Sequence, residues 1–245
     1  MYEERNYRQS FGLDLEMHCL AVKETDLAIC VPSGMWDDHL ERRVIAVINH
    51  MREGLENYIL SDPQFLCTHE PYTPRPFAPP IAMAMAAAAA KAGVGPMAAV
   101  AGAFSQVVGQ LLEPICGEVV VENGGDIYLA GCKERLIGIF AGSSPFSDKV
   151  ALKISGRQLP LGICTSSGTV GPSFSYGVAD AAVILSADTL LADAVATGSA
   201  NLVQSKADVA KAVEFAMGIV GITGALVIKD DAIAAAGAVE LAPKG

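Results

Sequence analysis

Apolar and polar residues alternate along the chain with two periods, one typical of strands and one of helices. Residues 11–31 alternate on both sides of the polar segment Lys23–Asp26, which predicts a two-stranded hairpin. From Asp38 to Leu60, apolar residues recur at helical spacing, and Asp37 and Asp38 suit the start of a helix. We therefore expect the N-terminal part to contain a hairpin followed by a long amphipathic helix.

A proline-rich segment and two helices rich in small residues follow. Six prolines between residues 61 and 80 predict an irregular loop, because proline supplies no amide hydrogen, and loops of this length in compact domains are commonly functional. The run after it predicts helices at 81–92 and 97–113. Because this run carries Lys91 and is broken by Gly93, Gly95 and Pro96, it predicts packed helices and no membrane span.

The second half of the chain mixes predicted strands and helices without a regular βαβ rhythm. We expect a hairpin at 118–130, strands at 135–142, 148–156, 160–168 and 177–187, a helix after Asp188 to 204, a helix at 206–219 and a hairpin at 224–237. This order favours an α+β fold of mixed and antiparallel strands with paired Ala-rich helices. A match between residues 98–104 and 193–199 raises the hypothesis of two related halves.

Composition limits the class of protein. With 245 residues, 51% hydrophobic and 18% charged, the chain suits a single domain over 1–245 with a sizeable core. We divide it into an N-terminal part, 1–80, and a core with a ligand cleft, 81–245. A net charge of −10 without a basic cluster argues against a nucleic-acid partner. Six cysteines without a CxxC pair and a charged start without a signal peptide predict a cytoplasmic protein.

Three polar, glycine-bearing segments are candidate sites. They comprise Asn123, Gly124, Gly125 and Asp126 in a predicted hairpin, Thr165, Ser166, Ser167 and Gly168 after a predicted strand, and Asp193 with Thr197 on a predicted helix. Amide and hydroxyl groups after a strand can bind an anion. Residues four apart share a helix face, so Asp193 and Thr197 offer two oxygen ligands of the kind that Mg²⁺ prefers. Each segment also has a plain structural explanation: a hairpin turn at Asn123-Gly124, a flexible loop, and a solvated helix carboxylate.

Other familiar sites are absent from the sequence. No phosphate-binding GxxxxGK[ST] loop, dinucleotide-binding strand–turn–helix or GxSxG motif is present. The four histidines, His18, His39, His50 and His69, lie at no metal-ligand spacing, so we interpret them as surface or structural residues.

The order of a GGD hairpin, a TSSG loop and the helix "LLADAVAT" resembles the ApbE family of flavin transferases over about residues 95–235. The resemblance implies binding of FAD and Mg²⁺, and transfer of FMN from FAD to a threonine of a target protein with release of AMP. It implies Asp193, Thr197 and the carbonyl of Ala101 as metal ligands. The hairpin and the TSSG loop would then line the nucleotide cleft.

The chain departs from the ApbE pattern in two places. Gly102 and Ala103 stand where the family usually has Lys-Gly, and the interval 172–190 lacks the family's histidine and its Asp-Pro-x-Thr-Gly stretch. These departures resemble a shorter cytosolic branch from anaerobes, linked with sulfur assimilation into homocysteine. The resemblance therefore implies a ligand cleft more directly than it implies FMN transfer.

Three hypotheses stay open at this point. The first is a Mg²⁺-dependent flavin-handling enzyme that acts on a protein partner. The second is a non-transferase protein, either a small-ligand binder or an accessory of sulfur assimilation acting through Cys164. The third is a structural homo-oligomer, since the acidic, Ala-rich composition is compatible with a homodimer.

Overall fold

The computed structural model describes residues 14–170 and 175–243. Residues 11–13 of the first predicted hairpin, Gly171 after the TSSG loop and residues 172–174 of the altered interval lie outside these ranges. The strands are β1 (Glu16–Val22), β2 (Thr25–Val31), β3 (Val119–Asn123), β4 (Asp126–Ala130), β5 (Arg135–Gly138), β6 (Val150–Ile154), β7 (Leu161–Ser166), β8 (Ala181–Ser186), β9 (Ile222–Lys229), β10 (Ala232–Gly237) and β11 (Leu241–Pro243). The helices are α1 (Asp38–Ser61), α2 (Gln64–Cys67), α3 (Pro80–Ala92), α4 (Val100–Cys116), α5 (Thr189–Asn201) and α6 (Val209–Met217).

Within the described residues, two antiparallel sheets form. The larger has eight strands in the order β1-β2-β3-β4-β7-β8-β9-β10, and the smaller has three in the order β11-β6-β5. Every neighbouring pair in the larger sheet is antiparallel. The sheets and helices together confirm the predicted α+β class.

The larger sheet lies between the helices and the smaller sheet, so its central strands, such as β4 and β8, are buried on both faces. Along β4, Tyr128 and Ala130 belong to the core that packs against the helices. Ile127 and Leu129 belong to a second core shared with the smaller sheet. This split follows from the alternation of side chains along a strand, and it explains why β4 is buried at every position.

Several predicted boundaries change in the structure. The short helix α2 lies inside the proline-rich segment that was expected to be irregular throughout. The sequence also missed β11, whose three residues pair with β6. In the β3–β4 hairpin, Asn123 pairs with Asp126, so the turn is Gly124-Gly125 and not Asn123-Gly124. Both turn residues have positive φ, 65° and 102°, which glycine adopts at little cost.

The element order repeats across the larger sheet. Two strands, a set of helices and two further strands occur first as β1-β2 to β3-β4 and again as β7-β8 to β9-β10. The matched segments 98–104 and 193–199 do not occupy equivalent places in this repeat, because the first leads into the last helix of its half and the second lies in the first helix of its half. The order of elements therefore repeats, but the matched segments 98–104 and 193–199 do not lie at equivalent positions of the two halves.

One helical stretch, Pro96–Cys116, is long and apolar enough to cross a membrane by length and composition alone. It comprises a 3-10 turn, Pro96–Ala99, and α4. Half of its most apolar window is buried inside the protein, and its buried side chains belong to the helix-side core. It is packed as a core helix, as the sequence predicted.

Gly109 provides a test of how tightly α4 packs on the sheet. A Cβ at this position would overlap the ring of Tyr128, whose hydroxyl donates to Glu113 at 2.7 Å. We expect Gly109→Ala to lower the free energy of unfolding by roughly 1–3 kcal/mol, although alanine favours a helix. Urea denaturation measures this change. Gly218→Ala is the control, because a Cβ at that position would lie 3.4 Å from its nearest neighbour. If Gly218→Ala lost as much stability as Gly109→Ala, the tight packing at Gly109 would not be the cause of the loss.

Candidate functional site at the N-terminal end of α4

The three residues predicted to hold a metal and Asp126, which was predicted to bind the cofactor, meet at one cavity. It has a volume of about 290 Å³ and lies between the first turn of α4, the middle of α5 and the start of β4. Ala101, Asp126, Asp193 and Thr197 all line it. These residues come from distant parts of the chain, so only the fold brings them together.

Asp193 is buried against the N-terminal end of α4. Its side chain is 7% exposed, and its Oδ2 accepts a 2.8 Å hydrogen bond from the amide of Gly102. Burial raises the pKa of Asp193 to about 7, and hydrogen bonds from the backbone of Gly102 and Ala101 partly offset that rise. The first turn of α4 thus stabilises the charged form of a carboxyl group that burial disfavours.

Gly102 makes this approach of α4 to α5 possible. A Cβ at position 102 would lie 2.6 Å from the carbonyl oxygen of Thr189 and 2.9 Å from Cβ of Asp193. No side chain fits there without moving one of the helices. This contact gives a physical reason why the chain has glycine where the ApbE pattern has lysine.

Asp126 is the second buried carboxyl group of the cavity. Its side chain is 6% exposed, and its Oδ1 has no hydrogen-bond partner in the part of the chain that the structure describes. Burial raises the pKa of Asp126 well above its usual range, and the nearby charge of Asp193 raises it further. A buried carboxylate oxygen without a partner is costly unless a proton or a cation neutralises it. The pair therefore favours a positive ligand.

The β3–β4 turn supports the same cavity from the side. The side-chain amide of Asn123 donates to the carbonyl oxygen of Ala101 at 3.2 Å. The amide of Gly125 donates to the buried Glu122 at 2.7 Å, and its Cα faces the carbonyl of Thr165. Gly124 faces open space. Asn123 thus touches a predicted metal ligand, whereas the two glycines shape the turn and set it against β7.

The TSSG loop is held mainly by its own hydrogen bonds. Ser167 Oγ accepts from the amides of Thr169 and Val170 and donates to the carbonyl of Ala179. The amide of Gly168 donates to the same carbonyl at 2.9 Å. Among the described residues that line the cavity, none is Thr165, Ser166, Ser167 or Gly168. The structure therefore places this segment beside the cavity, with the amide of Gly168 and the hydroxyl of Ser167 both donating to the carbonyl of Ala179.

The sequence missed the residues at the mouth of the cavity. Thr68 and His69 come from the proline-rich segment, and Tyr176 lies inside the altered interval. Asn201 continues the four-residue spacing of Asp193 and Thr197 along α5. That spacing was a usable signal for Asn201. No local signal marked His69, because its position depends on how the whole segment folds over α4.

The oxygen donors at the cavity suit Mg²⁺. They are the carboxylates of Asp126 and Asp193, the hydroxyl of Thr197 and the carbonyl of Ala101, and the unpartnered Oδ1 of Asp126 is an available ligand atom. Mg²⁺ commonly binds one or two carboxylates and completes its coordination with water and substrate phosphates. Over residues 14–170 and 175–243, no group of three or more His, Cys, Asp or Glu could hold a metal by itself. The donor set fits a cation shared with a phosphate-bearing ligand.

Cys164 does not have the features of a reactive thiol. It is fully buried in β7, and its Sγ donates to the carbonyl of Thr189 at 3.4 Å. Burial raises the pKa of Cys164 well above its usual value, and the charges of Asp126 and Asp193 raise it further. A thiol that stays protonated and inaccessible is a poor nucleophile.

The two buried carboxyl groups predict how stability depends on pH. Without a metal, Asp193 keeps its proton up to about pH 7 when folded but loses it near pH 4 when unfolded. The folded state therefore binds more protons in this range, and the free energy of unfolding falls by a few kcal/mol as the pH rises from about 4 to about 7. Urea denaturation in the presence of a chelator measures this. Asp193→Asn should reduce this fall in the free energy of unfolding and should make the protein more stable than wild type at pH 8. Substitution of the exposed Asp38 by Asn should leave the pH dependence unchanged. A metal-free Asp193→Asn protein less stable than wild type at pH 8 would contradict the prediction.

Solved structures show the class of fold to which this site belongs. The apo flavinyl transferase ApbE of Pseudomonas stutzeri superposes with a TM-score of 0.58 at 13% identity, covering 91% of this chain and 94% of that one. The flavin transferase ApbE of Vibrio cholerae gives 0.53 at 14% identity, covering 91% and 97%. At such identities the likeness shows the fold, and this chain has the ApbE fold.

The sequence comparisons identify the family. A family model described as "AbpE bacteria" matches residues 12–219, and the chain belongs to this family. A UPF0280 protein of Methanosphaerula palustris is 45% identical over 183 residues, 74% of this chain and 75% of the relative. A UPF0280 protein of Methanocella arvoryzae is 44% identical over 191 residues, 78% of each. The resemblance seen in the sequence is confirmed.

Proposed function

We propose that the protein binds FAD together with Mg²⁺ at the α4–α5 cavity and transfers the FMN portion to a hydroxyl group of an acceptor protein. The observation that carries this proposal is the pair of buried carboxyl groups facing the cavity, one with an unpartnered oxygen. The ApbE fold supports a flavin ligand, because both structural neighbours named above are flavin or flavinyl transferases.

Each residue of the cavity has a separate task in this proposal. Asp193, Thr197 and the carbonyl of Ala101 would hold the cation, with Asp126 close enough to share it. Asn123 orients the Ala101 carbonyl through its 3.2 Å hydrogen bond. A bound Mg²⁺ would neutralise the charge that develops on the phosphates during transfer. Residues at the β3–β4 turn and the TSSG loop would border the rest of the nucleotide.

The sulfur-assimilation hypothesis receives no comparable support. The thiol through which it was expected to act, Cys164, is buried and protonated. Binding of a small ligand without catalysis remains the direct competitor of FMN transfer, and both require the same cavity.

Calorimetric titration with FAD tests the proposal. We expect FAD to bind more tightly when Mg²⁺ is present, because Asp126 and Asp193 would hold the cation and its charge would offset that of the pyrophosphate. Asp193→Asn and Thr197→Val should each lower the Mg²⁺-dependent affinity, by about tenfold or more for the carboxylate. Ser199→Ala is the matched control, since it removes a hydroxyl from the same helix without altering the residues that line the cavity.

The products distinguish transfer from simple binding. Release of AMP from FAD, with Mg²⁺ and with water as the acceptor, indicates an enzyme. Binding of FAD without AMP release indicates a flavin-binding protein. An affinity for FAD that Mg²⁺ does not change, or that Asp193→Asn leaves intact, contradicts the proposal.

A further inference from the structure

The proline-rich segment forms one wall of the cavity. Leu66, Thr68 and His69 from this segment line the cavity, and the buried Asp126 and Asp193 line its floor. The segment joins α1 to α3, and between residues 62 and 79 its one regular element is the short helix α2. Its shape therefore depends on side-chain contacts, which also decide how well the wall is placed.

A buried carboxylate ties the two ends of this segment to the end of α1. Asp62 is fully buried and accepts hydrogen bonds from the hydroxyls of Tyr58 at 2.8 Å and Tyr72 at 2.9 Å. It also pairs with Arg75 at 3.3 Å. The ring of Phe65 packs edge-on against both tyrosine rings. A buried hydrogen-bond network of this kind rigidifies the chain around it.

The middle of the segment rests on the turn that precedes α4. A Cβ on Gly95 would lie 1.9 Å from the carbonyl oxygen of Thr68 and 3.0 Å from Cα of His69. Gly95 itself lines the cavity and leads into the 3-10 turn before α4. The wall is therefore held at two places, by Asp62 at the ends of the segment and by the backbone contact with Gly95 at its middle.

We propose that Asp62 is a positioning residue for ligand binding, because it fixes the segment whose residues Leu66, Thr68 and His69 form this wall. This inference rests on the proposed function, with FAD as the ligand. The proposed cation ligands lie on α4, β4 and α5, outside the segment. Asp62 therefore governs how tightly the cavity holds FAD, and the contribution of the cation does not depend on it.

Calorimetric titration with FAD, with and without Mg²⁺, tests this role in variants that urea denaturation shows to be folded. Asp62→Asn leaves one acceptor oxygen for two hydroxyls and removes the charge that pairs with Arg75. We expect it to lower the affinity for FAD by about tenfold. The factor by which Mg²⁺ strengthens binding should stay at its wild-type value. Tyr72→Phe keeps the ring and should lower the affinity less.

The control for Asp62→Asn is Glu118→Gln. Glu118 also accepts a hydrogen bond from an arginine, Arg135, but it is not among the described residues that line the cavity. Glu118→Gln should leave the affinity for FAD within a few-fold of wild type. An affinity in Asp62→Asn no lower than in Glu118→Gln, or a loss of the Mg²⁺ effect in Asp62→Asn, would overturn the role of Asp62 and leave the proposed function intact.

A double variant tests whether Asp62 and Gly95 act on the same wall. Gly95→Ala displaces the backbone of Thr68 and should also weaken FAD binding. Gly54→Ala is its control, because a Cβ there would lie 3.6 Å from its nearest neighbour. Once one substitution has displaced the wall, the second has less to displace, so the double variant should lose less than the product of the two single losses. Losses that multiply would contradict a common wall.

Hydrogen exchange followed by mass spectrometry shows whether the wall contacts the ligand. In the wild type, saturating FAD with Mg²⁺ should slow exchange over residues 64–70 several-fold. In Asp62→Asn without ligand, exchange over the same residues should be faster than in the wild type, while exchange in β8 should be unchanged. No protection of residues 64–70 by bound FAD would overturn the role of the segment. Failure of the wild type to bind FAD would overturn both proposals.

Discussion

The burial of two carboxyl groups side by side is the constraint on which the site depends. Asp126 and Asp193 lie almost entirely out of water, and the charge of Asp193 makes Asp126 harder to ionise. The fold offsets part of this cost with the first-turn amide of α4, which donates to Asp193. It leaves Asp126 Oδ1 without a partner among the described residues. A protein that keeps such an arrangement gives up stability in its ligand-free state, which the cation of the proposed function would restore on binding.

Small residues make that arrangement possible. The first turn of α4 reaches Asp193 only because position 102 is glycine, and Gly162 on β7 likewise lies so close to Thr189 that a Cβ would be 2.6 Å from its Cα. The helices α3 and α5 are rich in alanine, α4 has glycine at positions 102 and 109, and close packing of these helices on each other and on the sheet depends on such small residues. Bulkier side chains would push α4 away from α5 and disrupt the cavity. The composition that resembles a membrane segment is thus the composition of a tightly packed helical layer.

The proline-rich segment gives the cavity a second, chemically different side. Proline limits the conformations of the unfolded segment, and the buried Asp62 network fixes the folded one. The result is a long connection that is ordered without much regular structure. It carries His69 to the mouth while the carboxyl groups stay at the floor.

The sequence by itself determined the class of fold, most of the elements and four of the cavity-lining positions, of which Ala101 came from the family resemblance. Alternation and helical spacing depend on local geometry, so the hairpins and α1 could be predicted within a few residues. The spacing of Asp193 and Thr197 is likewise a property of one helix, and the GGD hairpin carried Asp126. Only the tertiary structure decided that Gly124-Gly125 forms the turn, that β11 completes the smaller sheet, and that Ser167 and Gly168 of the TSSG loop donate to the carbonyl of Ala179. It also decided the place of His69, because that depends on the hydrogen bonds of Tyr72 to Asp62 and on the close approach of Thr68 to Gly95, which form only when the segment packs on α1 and on the turn before α4.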